Sequence, residues 1–280
     1  MSEQQYIETL GAEFSAPDIR DYRIDGSSLL TEFPETFELE MPPAKNQWTV
    51  GSCVAQSLAL IAEYYNKIQH GIDNEISVGY IYGNRVPPLN TTPGMVLRYA
   101  VETFCKEGAP FWSEFPIHME VPDIIQAVEK EKPNLAQSAL QSRPTAYLKV
   151  ATDQEIKTAL MKGIPIVFAV TWYKNTKVRD GVLQCDFKEA SGGHAMVLYG
   201  WDERGWKIQN SWGDYWGDEG RAILPYDYPI REAYVIFDTD TTPINIKKPF
   251  KTNSKILNKV VRICNNLFSV FYSLYYKFTN

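Results

Sequence analysis

At 280 residues, with 44% hydrophobic and 13% aromatic content, the chain can bury a sizeable core, and collagen-like, low-complexity and disordered classes are excluded. Charge is uneven: from Thr241 onward there are seven Lys and Arg and no Asp or Glu, whereas residues 1–240 carry 21 basic against 34 acidic side chains, a net −13. Such a body is a poor partner for nucleic acid, and four separated cysteines (53, 105, 185, 264) with three scattered histidines (70, 118, 194) argue against a disulfide framework and against a zinc site.

Residues 1–15, MSEQQYIETLGAEFS, lack the basic start and apolar core of a secretory signal. The polar stretch 1–32 contains PDIRDYRID and reads as extended or turn-like, ahead of an apolar start at Phe33. A helix is expected from about Ser52, because Val54, Leu58, Ile61, Tyr65 and Ile68 recur at steps of three and four and Gly71 is placed to end it. Cys53 falls in its first turn, facing the positive end of the helix dipole, where a thiol pKa drops below about 8.5. The alternative is a buried thiol acting as a small hydrophobe.

Further helices are expected over about 95–106, 123–132 and 153–162, the last opened by a capping box of Thr152 and Glu155. After Gly163 the period changes. IPIVFAVTW, AMVLYGW, GWKIQNSW, RAILP and AYVIF are short β-branched and aromatic runs that read as antiparallel strands. An α+β fold follows, helical in its first half and stranded in its second, with a cleft expected between such unlike halves. His194, at the entrance to one strand, and Asn210, sixteen residues on along the next, are candidates to meet across neighbouring strands. An amide oxygen there would hold the imidazole in one tautomer, as a base serving a thiol requires.

These segments resemble the papain-like cysteine peptidases. Gln47 precedes Gly51-Ser52-Cys53 by the family's interval, and His194-Ala195 is followed by Asn210-Ser211-Trp212-Gly213, Trp216-Gly217 and Gly220. The resemblance covers about residues 33–240 and implies a two-lobed papain-like fold with the site in the cleft. It further implies Cys53 as nucleophile, His194 as its proton partner, Asn210 as the group orienting His194, and the Gln47 side chain with the Cys53 backbone N–H as oxyanion hole. Trp212 is expected to shield the His–Asn bond. Gly94, Met95 and Gly193 are implied as substrate-binding, and either Glu232 or Ala233 as the floor of the main specificity pocket, according to strand register. No cofactor or metal is implied, and the partners are protein or peptide substrates.

Val50 stands where the family commonly has a disulfide-forming cysteine, Val54 where an aromatic follows the nucleophile, Gln56 where it has Phe, and the doubled glycine is reduced to Gly94. With the missing secretory signal, this resembles the disulfide-poor microbial or viral branch and gives a cytoplasmic or virion-associated location as the expectation. Three parts are expected: an extension over 1–32, either an inhibitory propeptide along the cleft or a surface arm; a peptidase domain over 33–240; and a basic linker with a C-terminal amphipathic helix over 241–280. Residues 256–278 carry Phe, Tyr and Leu on one face and Lys, Arg, Asn and Ser on the other. Two fates are open for them: contact with an anionic membrane surface, or packing on the body. The function expected is endopeptidase hydrolysis through an acyl-enzyme thioester; the rivals are an inactive peptide-binding relative and a transpeptidase using the same site.

Overall fold

A computed structural model describes residues 9–16, 18, 21–85, 93–120, 123–238 and 246–247; the expected C-terminal helix over 256–278 lies outside them. In chain order the elements are β1 (Ala12–Glu13), β2 (Arg23–Ile24), β3 (Phe37–Glu38), α1 (Cys53–His70), α2 (Val78–Gly83), β4 (Met95–Val96), α3 (Leu97–Glu107) and α4 (Ile124–Ala139). There follow β5 (Ala146–Val150), α5 (Asp153–Met161), β6 (Ile166–Tyr173), β7 (Lys177–Arg179), β8 (Val182–Gln184), β9 (Ala190–Asp202), β10 (Gly205–Gln209), β11 (Arg221–Pro225), β12 (Ile230–Phe237) and β13 (Ile246–Lys247). Among the described residues no helix is long and apolar enough to cross a membrane.

Helix α1 is buried on all sides from Cys53 to Asn66, and its expected apolar stripe is only part of that burial; Ile68, in the last turn, is exposed. The one carboxylate in the buried stretch, Glu63, is satisfied by Lys45 Nζ at 2.6 Å and the Ile76 N–H at 2.8 Å. Gly71 closes the helix in the left-handed conformation at φ 65°. Two helices depart from expectation. Helix α3 starts at Leu97, because Met95 and Val96 are drawn into a parallel pairing with β1. Helix α4 runs through Pro133 to Ala139: the proline is on the exposed face, so the carbonyl it leaves without an N–H partner, at Glu129, is open to water. Helix α2 was not among the expected helices, and two of its six residues are glycines, poor helix formers. Both are needed for close packing, Gly79 against the Ile117 backbone and Gly83 against Val128.

The large sheet runs β13-β2-β5-β12-β6-β9-β10-β11-β8-β7, with β3 added on β9. Period-two alternation divides its central strands between two cores. Val167 and Ala169 of β6, Ala195 and Val197 of β9, and Tyr234 and Ile236 of β12 face the helices. Phe168, Val170 and Trp172, Met196 and Leu198, and Ala233 and Val235 face a second core with α5, Trp201, Trp206 and Trp212. Helix α5 carries the expected capping box, and Glu155 within it also takes a bidentate ion pair from Arg23 in β2. Asp21 is paired with both Arg98 and Lys149. The chain is therefore clamped to the body at residues 21–23.

Candidate active site

The loop before α1 is held from two sides. The Gln47 N–H donates to the Ser211 carbonyl at 2.8 Å, and Gly51 packs so closely on the Pro93 carbonyl, 2.6 Å from where a Cβ would sit, that no side chain fits there. Cys53 is thereby fixed at the helix start and fully buried. His194 lies well inside β9, opposite Val170 of β6, rather than at the strand's entrance. Asn210 follows directly after β10 rather than within it; this antiparallel neighbour of β9 brings the two side chains together, with His194 Nε2 2.7 Å from Asn210 Oδ1. Since that oxygen can only accept, the hydrogen is on Nε2 and the neutral ring keeps its lone pair on Nδ1, which has no hydrogen-bonding partner among the described residues.

Trp212 stacks on the imidazole, ring centroids 4.6 Å apart at 26°. Trp172, which sequence reasoning did not single out, meets the same imidazole edge to face at 5.4 Å. Gln47 Oε1 accepts from Ser211 Oγ at 2.6 Å, and this fixes which end of the amide points into the cleft: Nε2 donates to the carbonyls of Val50 and Thr9, each at 3.0 Å.

Thr9 belongs to a stretch, residues 9–16, that lies along the cleft. Its carbonyl also accepts from Trp212 Nε1 at 3.2 Å, and its hydroxyl donates to the Trp48 carbonyl at 2.7 Å. The Gly11 N–H donates to the Gly193 carbonyl at 3.2 Å, and its carbonyl accepts from the Met95 N–H at 2.8 Å. Gly94 packs against the Gly11 carbonyl, and Gly193 packs against that of Ala12. Further on, the Ser15 N–H and Oγ donate to the Glu232 carboxylate at 3.1 and 2.5 Å, with Tyr234 OH adding a third bond at 3.2 Å. Register separates the two residues expected near the specificity pocket. Glu232 faces the cleft and Ala233 turns to the second core, so Ala233 is not brought to the site.

Burial reverses the expected thiol chemistry. Removal from water pushes the Cys53 thiol up to about 11, outweighing the N–H groups of Ala195, Val54 and Gly11 that lower it, and pushes His194 down to about 4 against the opposing effect of the hydrogen bond it donates to Asn210. Near pH 7 both groups are neutral, whereas helix position alone pointed to a thiolate. Among the described residues Cys53, Cys105 and Cys185 are free thiols, and no group of His, Cys, Asp or Glu is arranged to hold a metal ion.

A buried cysteine at a helix start, facing a strand whose histidine is bonded to an asparagine under a tryptophan, defines the cysteine-peptidase class. Residues 34–226 match the family described as papain family cysteine protease. The chain belongs to this family, and it is a papain-like cysteine peptidase. It is similar to a peptidase C1-like protein of Acanthamoeba polyphaga mimivirus, 27% identical over 241 residues that cover 78% of this chain and 77% of that one. Cathepsin O of Mus musculus is 27% identical over 190 residues, covering 64% and 58%. Among solved structures, xylellain from Xylella fastidiosa superposes with TM-score 0.71 at 25% identity over 84% of this chain and 98% of that one. A procathepsin B from Trypanosoma congolense superposes with TM-score 0.61 at 16% identity, over 85% and 86%, a likeness of fold.

Proposed function

We propose that the chain is an endopeptidase held latent by its own residues 9–16. The observation that carries this reading is the Thr9 carbonyl, which occupies the Gln47 and Trp212 donors while Gly11 lies over Cys53. The segment's β1 residues pair parallel with β4, and the Gly11 N–H lies close enough to the Cys53 sulfur to lower its pKa, so the arm occupies the place a substrate backbone would take. With the segment displaced, water returns to the cleft, the desolvation acting on both groups falls, and Cys53 can pass its proton to His194 Nδ1.

The thiolate then adds to a substrate carbonyl, whose developing negative charge is met by Gln47 Nε2. The imidazolium gives its proton to the departing amine, leaving an acyl thioester. Water, deprotonated by the same imidazole, hydrolyses the thioester and restores the thiol. Asn210 keeps Nε2–H aimed away from the reaction throughout.

A neutral Cys53 and a neutral His194 favour a second reading, a cleft that only binds peptides. Alkylation separates the two. In the intact chain at pH 7, iodoacetamide should react with Cys53 about 300-fold more slowly than with a thiol of pKa 8.5, the rate climbing as pH rises toward about 11. A variant with the segment displaced should react with a peptidyl epoxide at Cys53 near neutrality and cleave peptides. Epoxide-labelled protein that cleaves nothing in a broad peptide library would leave only the binder.

Specificity follows from Glu232. Once Ser15 departs, a buried carboxylate is left facing the acyl side of the cleft, which favours a Lys or Arg side chain there. Library profiling should show a preference for basic residues at that subsite of about tenfold, removed by Glu232→Gln. An unchanged profile in the variant contradicts the assignment.

A further inference from the structure

We infer that Trp172 is a positioning residue for the His194 imidazole, an inference that rests on the peptidase reading above. The β6–β9 register places Val170 opposite His194 and Trp172 opposite Gly192, so Trp172 projects to the same face as the histidine, two pairs further along. Its partner Gly192 has no side chain, and a Cβ there would meet Leu10. Three rings then pack on one another: Trp172 meets His194 at 5.4 Å and 74°, and Trp212 at 4.9 Å and 83°, while Trp212 lies stacked on His194.

Each contact limits a different motion. The Asn210 bond fixes the Nε2 end of the ring, and stacking on Trp212 closes one face. Neither stops the ring from swinging within the plane parallel to Trp212. Trp172, standing nearly perpendicular to both rings, blocks that direction and holds the heading of Nδ1. The residue is 1% exposed, and its Nε1–H has no hydrogen-bonding partner among the described residues. A buried unpaired donor is a cost that a purely space-filling Phe would avoid. What the indole offers over Phe is width enough to touch both other rings.

The test uses the full-length chain labelled with ¹⁵N-histidine, in which only three histidines contribute signals, together with steady-state hydrolysis by a variant displaced at Gly11. Trp172→Leu should broaden the His194 Nε2–H resonance and speed its exchange with water. It should also lower kcat about tenfold with KM within about twofold, the size expected for losing two aromatic contacts. Trp172→Phe should recover part of the resonance and of kcat, short of the parent. The inference is overturned if Trp172→Leu keeps both at the parent level, or if Trp172→Phe falls as far as Trp172→Leu at the same melting temperature. Should the parent hydrolyse no peptide, the peptidase reading fails, and the resonance alone still decides what Trp172 does to the ring.

Discussion

Gly11→Ala is expected to raise peptide hydrolysis by the full-length chain about ten- to a hundredfold. A Cβ at this position would overlap the Gly51 carbonyl, backbone against backbone, so one of the two segments must yield. The Gly51 loop cannot do so cheaply. It is bonded through Gln47 to Ser211, is pressed on Pro93, whose carbonyl accepts from Tyr82 OH at 2.5 Å, and leads directly into the buried helix α1. The stretch 9–16 is held by a handful of hydrogen bonds and contributes only Ala12 to the buried core. Overpacking costs about 1–3 kcal/mol, and placed on the closed form alone it shifts the balance toward the open form by the factor stated. Fluorogenic peptide turnover with intact-mass analysis checks this. An unchanged rate with an unchanged N-terminus would show that the segment does not control the cleft.

Cys53→Ala in the same displaced background should lower turnover on the order of ten-thousandfold or more, down to what the remaining binding groups contribute. The substitution removes one sulfur from a site with no exposure, so the fold should persist with a small loss of stability, and thermal unfolding controls for that. Because Ala keeps the backbone N–H that joins Gln47 in meeting the oxyanion, peptide affinity should survive while chemistry stops. Loss of both together would point to a collapsed cleft rather than a missing nucleophile.

Much of this site was legible as spacing. Gln47, Cys53, His194 and Asn210 lie at intervals set by a helix start and two neighbouring strands; the structure bonds His194 to Asn210 and ties Gln47 to Ser211, the next residue. Side-chain facing was less legible. Glu232 and Ala233 differ by a single position in a period-two strand, so the choice needed the observed pairing with β6. The ionisation of Cys53 with the arm in place was not legible, because a dipole can be read from position whereas burial depends on a distant segment crossing the cleft. Trp172 gave no local signal: an aromatic in an apolar strand is ordinary, and its contact with His194 exists only through the register with Gly192.

The clamp at Asp21 and Arg23 gives the arm the character of a leash. Ten residues separate Gly11 from Asp21, a reach of at most about 35 Å, so a released arm never drifts beyond the vicinity of the cleft. Under the latency proposed above, its local concentration would stay near the millimolar range however dilute the protein becomes, and reclosure would be a unimolecular event competing with every incoming substrate. A cut anywhere between the cleft and the clamp would abolish that competition permanently, turning a reversible gate into a one-way commitment.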